Sequence, residues 1–168
     1  QIMSFRLVEK KIIDPNQKFL SCKDFFKKIR NEVDNSSPIK FDMDNFMLCL
    51  IVGLKHDKKE SLKNYKFQSS FSAKYIETYL KIKPLITGLL LFKTMKIKKI
   101  DKNEKDKFKK NLQEVLDTND PINLKREYID LMHEYYLGGY CFLLKQFNNK
   151  APDEVSIFFD KYNKLVSN

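Results

Sequence analysis

Asn123 to Asn148, NLKREYIDLMHEYYLGGYCFLLKQFN, is the stretch on which the fold turns. Leu124, Tyr128, Leu131, Tyr135, Gly138 and Phe142 recur at helical spacing, which places them on one face of a helix. From Tyr135 onward the apolar residues Tyr136, Leu137, Tyr140, Cys141, Leu143 and Leu144 run round the whole circumference. A helix without a polar face is buried on every side, so the second half is expected at the centre of the molecule. The first half, with Lys125, Arg126, Glu127 and Asp130, belongs nearer to solvent. Gly138 and Gly139 each cost about 1 kcal/mol relative to alanine inside a helix, so either the helix breaks there or another backbone packs closely against it.

The other segments fall into place around this helix. Ser4 to Ile13 reads as a short edge strand ending at Asp14-Pro15-Asn16. Ser21, with Asp24 behind it, caps a helix running to about Val33, whose Cys22, Phe25, Phe26, Ile29 and Val33 face inward. Asp42 is read as the cap of the next helix, with Met43, Phe46, Met47, Leu50 and Leu54 inward and Gly53 near its end. His56 to Glu60 is an exposed charged turn. Tyr65, Phe67 and Phe71 lie in a polar stretch that is either irregular or a strand paired with the first. Ser72 opens a helix to about Lys83, with Tyr75, Ile76, Tyr79 and Leu80 inward, and Pro84 sets a boundary before a second apolar helix, Leu85 to Met95. Asp101 and Glu104 have capping-box spacing ahead of a helix with Phe108, Leu112, Val115 and Leu116 inward. Asp117 to Pro121 ends that helix. Pro152, Asp153 and Glu154 open a last one carrying Val155, Phe158, Phe159, Tyr162 and Leu165.

The expected architecture is mainly α: one compact domain over residues 1–168 with about seven helices and a short two-stranded β element near the N-terminus. The chain has 168 residues, 42% hydrophobic, which suffices for one real core, and only four glycines and five prolines, few for a fold of many strands. The apolar run Leu85 to Phe92 is far shorter than the roughly 20 residues a membrane helix needs, so no membrane partner is expected. Met3 is read as the natural start, with no signal-peptide core behind it. Cys22, Cys49 and Cys141 are odd in number and sit in apolar or amphipathic segments, which fits buried thiols and a cytoplasmic setting better than a disulfide framework.

Charge is the one bulk property with a functional sign. The net charge is +10, and a basic surface attracts phosphate backbones or acidic partners. It is almost all lysine, since Arg6, Arg30 and Arg126 are the only arginines. Lysine lacks the planar fork that reads bases or grips phosphate bidentately, so the charge reads either as a plain solvated surface or as nucleic-acid contact without sequence preference. The density peaks between Lys93 and Lys110, where nine lysines face Asp101, Glu104 and Asp106; Lys93, Lys96, Lys98, Lys99, Lys102 and Lys105 are the candidate nucleic-acid-binding residues. Glu114 to Glu134 is acidic by contrast, a polarity that also suits a protein partner or a head-to-tail homo-oligomer. Exposed Tyr65 and Phe67 are candidates for such a contact.

Signals for catalysis are absent: no phosphate-binding glycine loop, no glycine-flanked serine nucleophile, and no cysteine or histidine pairs at metal spacing. His133 precedes Glu134 but has no second histidine one turn away, so it is read as a surface or partly buried helical residue and His56 as a loop residue. No enzyme, cofactor or metal is expected. Asp44-Asn45-Phe46-Met47-Leu48 followed by Gly53-Leu54-Lys55, and Glu134-Tyr135-Tyr136-Leu137-Gly138-Gly139, resemble two elements of small helical proteins encoded with prokaryotic DNA phosphorothioation (Dnd-type) defence genes. Those elements are acid-x-Phe with Gly-apolar-Lys, and Glu-Tyr-x-x-Gly-Gly. Tyr136-Leu137 stands where that family has a small residue and asparagine. The resemblance implies an accessory, DNA-associated role in anti-phage DNA modification or restriction and assigns no catalytic residue.

Overall fold

The computed structural model describes residues 4–10, 20–30, 37–72 and 80–167. It is mainly helical. The elements are β1 (Ser4–Lys10), α1 (Cys22–Ile29), α2 (Asp42–Lys55), a 3-10 turn (Leu62–Asn64), β2 (Tyr65–Ser72), α3 (Lys83–Ile97), α4 (Lys105–Val115), β3 (Leu116–Asp117), β4 (Asp120–Leu124), α5 (Arg126–Gln146) and α6 (Val155–Ser167). β1 pairs with β2 and β3 with β4, each pair a two-stranded sheet. The helix expected over Ser72–Lys83 lies largely outside the described residues, as do Val33 and the side chain of Phe67. The chain groups into two compact units, Gln1–Phe5 with Phe71–Met132 and Arg6–Ser70 with His133–Asn168. No described helix is long and apolar enough to cross a membrane.

The unit holding α1, α2, α6 and the second half of α5 is built on close helix contact. α5 is unbroken through Gly138 and Gly139, so of the two roles open to a helical glycine pair the chain takes close packing. A Cβ on Gly139 would stand 2.7 Å from Gly53 N and 2.8 Å from the Cys49 carbonyl carbon, and a Cβ on Gly53 would stand 2.8 Å from the Tyr135 carbonyl carbon. α2 and α5 therefore meet backbone to backbone. Flanking the contact, Phe46 stacks on Tyr136 with centroids 4.6 Å apart, an arrangement that contributes roughly 0.5–1.5 kcal/mol beyond the area it buries. The stretches 44–55 and 134–139 are the two sides of this junction.

α1 seats Cys22, Phe25, Phe26 and Ile29 in the core, its N-terminus capped by Ser21, whose hydroxyl accepts from Asp24 N at 3.2 Å. Phe25 and Phe26 meet Phe158 of α6 edge to face. Tyr162 donates to the Leu48 carbonyl at 2.9 Å and Tyr140 to that of Leu20, so these two phenols are satisfied by backbone.

Several expectations are corrected here. α2 is capped at Phe41 and not at Asp42; it is Asp44 whose carboxylate reaches back to the Lys40 and Phe41 N–H groups. His133 is fully buried against the edge of Phe46. His56 is half-buried, stacked on Phe142 with Nε2 2.8 Å from the Leu165 carbonyl oxygen. Tyr65 is buried, its hydroxyl 3.3 Å from Cys141 Sγ, so it is no exposed contact residue. Leu80 is 45% exposed instead of inward. Leu124 precedes α5 and belongs to β4, opposite Leu116.

In the other unit Asn111 of α4 donates to Thr94 of α3 at 2.9 Å, a buried hydrogen bond that fixes how the two helices meet. Lys125 N closes the β3–β4 hairpin on the Val115 carbonyl at 3.0 Å.

Candidate nucleic-acid interface

The lysine-rich segment runs from the end of α3 into α4. α3 stops at a Schellman motif: Ile100 N reaches the Met95 carbonyl at 2.9 Å and Lys99 N that of Lys96 at 3.2 Å, which puts Lys99 in the left-handed region at φ 54°. Glycine is the usual occupant, because a side chain there costs roughly 1–2 kcal/mol. α2 and α5 end the same way on Asp57 (φ 53°) and Asn148 (φ 54°). Asp and Asn tolerate the conformation through short polar side chains. Lys99 has no such excuse, so a lysine is presented at a site where the backbone gains nothing from it.

Beyond Lys99 the turn is stitched to itself. Asp101 N donates to Glu104 Oε2 at 2.9 Å, Asn103 N to Asp101 Oδ1 at 2.8 Å, and Glu104 N to the Asp101 carbonyl at 3.1 Å. Half of the expected capping box forms, with Glu104 Oε2 accepting from Asp101 N, but ahead of the helix: the Asp101 side chain takes Asn103 N instead of Glu104 N, and α4 opens on Glu104 as its cap. The expected cap at Asp101 is thus displaced to Glu104.

Lys96, Lys98, Lys99, Lys102 and Lys105 are all exposed on this turn and its flanks. Lys93, also expected at the interface, is 9% exposed and faces inward with Leu90 and Thr94, so it is withdrawn from the candidate surface. Lys98 is ion-paired with Glu114, and that hydrogen bond holds the Glu114 carboxyl below its ordinary range, with Lys110 and Lys125 adding to the effect. Lys107 does the same for Glu104. Among the described residues Lys96, Lys99, Lys102 and Lys105 make no ion pair. Lys109 and Lys110, in the same run of charge but outside the candidate set, are exposed on α4 too.

Phe108 is 39% exposed, against the inward position its spacing suggests. α3 departs further from expectation. Its inner side holds Ile86, Thr87, Leu90 and Thr94, and the opposite side leaves Leu85 at 54% and Phe92 at 60% exposure, with Lys96 one turn beyond Phe92. Among the described residues no group of three His, Cys, Asp or Glu side chains is placed to hold a metal. No protein-family model matches the chain, and no curated protein or solved structure matches it.

Proposed function

We propose that this chain is a cytoplasmic, noncatalytic, DNA-associated accessory component of a prokaryotic DNA-modification or anti-phage defence system, which holds the phosphate backbone through Lys96, Lys98, Lys99, Lys102 and Lys105. The observation that carries the reading is Lys99: a hydrogen-bonded turn holds it in a conformation that disfavours lysine, and sets it among other exposed ammonium groups. Point charges on a rigid turn suit contact with phosphate and carry no base information. The defence assignment is supported by the two resembling stretches, which pack on each other through Gly53 and Gly139. The test is duplex binding followed by fluorescence anisotropy over a salt series. Affinity should fall steeply between about 50 and 200 mM salt, alike for unrelated sequences. No binding at the low end contradicts the reading.

A second reading, a protein adaptor or homo-oligomer, is favoured by the exposed apolar side of α3 at Leu85 and Phe92. Light scattering on the wild type and on Phe92→Glu checks it. A wild-type mass above 20.1 kDa that returns to that value in the variant supports self-association.

A further inference from the structure

A cavity of about 300 Å³ lies between the segment that follows α2 and the side of α5 that carries Cys141 and Lys145. Its volume is at the lower end of small-ligand sites, roughly 300–1,000 Å³. Three lysines, Lys58, Lys59 and Lys145, line it against one acidic residue, Glu60, while Cys141 and Phe142 supply a less polar side.

The cationic side is held in place. Lys58 N donates to the Gly53 carbonyl at 2.9 Å and Glu60 N to the Glu134 carbonyl at 3.1 Å. Gly138, which also lines the cavity, lets this segment rest on the α5 backbone, for a Cβ there would stand 2.6 Å from Lys59 N. Two of the ammonium groups are placed as well: Lys58 Nζ lies 5.6 Å from the Phe142 ring centroid and Lys59 Nζ 5.7 Å from that of Tyr135. Phe142 is itself fixed by stacking on His56 at 4.7 Å. Lysines that are already ordered lose less freedom when an anion arrives.

We propose that this cavity binds a small phosphate-bearing molecule, distinct from the backbone contact assigned to the α3–α4 turn. Three lysines within reach of one concave site suit a tetrahedral, multiply charged oxyanion, whereas a carboxylate is better served by the planar fork of arginine, which the lining lacks.

Isothermal titration of the full chain with pyrophosphate and with inorganic phosphate, at fixed ionic strength and with chloride as control, tests this. Pyrophosphate should bind with Kd below about 1 mM and phosphate more weakly. Lys58→Gln with Lys145→Gln should weaken pyrophosphate binding about tenfold or more at unchanged melting temperature. Gln at Lys96, Lys98, Lys99, Lys102 and Lys105 should leave it unchanged. If the double variant melts early, Lys145→Glu alone, on an exposed side chain, decides by the same criterion. No heat with millimolar pyrophosphate, wild-type affinity in the cavity variants, or equal loss in the turn variant overturns the proposal.

Discussion

Gly53 of α2 and Gly139 of α5 oppose each other so closely that a Cβ on Gly139 would stand 2.7 Å from Gly53 N, inside any real carbon–nitrogen contact. Backbone lies on the far side, so relief requires moving a helix and not a flexible side chain. Gly139→Ala and Gly53→Ala should therefore destabilise by about 2 kcal/mol or more, overcoming the roughly 1 kcal/mol that alanine gains in a helix. Gly88 is the internal control, because nothing lies within 4 Å of a Cβ there and it sits inside α3. Gly88→Ala should raise stability by about 1 kcal/mol. Urea titrations of the three variants check the signs; equal effects at Gly88 and Gly139 would remove close packing as the reason for the glycines.

Lys99 should trade stability against binding. Lys99→Gly relieves the left-handed strain and is expected to stabilise by roughly 1 kcal/mol, with less gained if glycine's extra freedom in the unfolded chain offsets it. The same variant should lose duplex affinity and close to one unit of salt slope. Lys99→Gln separates the two effects, since it keeps the strain and removes the charge. A glycine variant that is more stable and binds unchanged would show that Lys99 touches no phosphate.

Glu114, like Glu104, contributes to the pH dependence around the α3–α4 turn. Its pKa lies below the ordinary 4.5 because Lys98 hydrogen-bonds to the carboxylate. A depressed carboxyl stabilises the fold above its unfolded value, and that contribution disappears as pH falls through the folded one. The Lys98–Glu114 contact should thus be intact at neutral pH and lost only below pH 4.5. Lys98→Gln should return the Glu114 pKa upward toward 4.5, measured by carboxyl chemical shifts. An unchanged titration would mean that Lys98 is not the cause.

The helices that bury an uninterrupted apolar face were legible in sequence. α5 declared itself through its periodicity and the all-apolar second half, and the Ser21 cap fell where the local chemistry put it. The glycine pair left two roles open, and only the approach of α2 selects between them. Boundaries shifted where side chains made other bonds: Asp101 takes Asn103 N, so α4 starts on Glu104, and the last helix begins at Val155 beyond the Pro152 that announces it. The apolar run of α3 gave no sign that Leu85 and Phe92 would be exposed, because composition is blind to which side of a helix finds a partner. Lys93 illustrates the same limit for the candidate interface. Nothing in a run of lysines marks the one that turns inward, whereas the exposure of the other five follows from plain charge density.

The measurement that bears most directly on function is the salt dependence of duplex binding for wild type and for the variant with glutamine at Lys96, Lys98, Lys99, Lys102 and Lys105. All five are exposed, so the fold should survive within about 1 kcal/mol, which circular dichroism monitors. The account expects the slope of log affinity against log salt to shrink by close to one unit for each lysine that meets a phosphate, least for Lys98, which is engaged with Glu114. Affinity should drop equally for unrelated duplexes. Binding by both proteins with the same slope would place the contact elsewhere on the molecule, and no wild-type binding at about 50 mM salt would contradict the nucleic-acid reading itself.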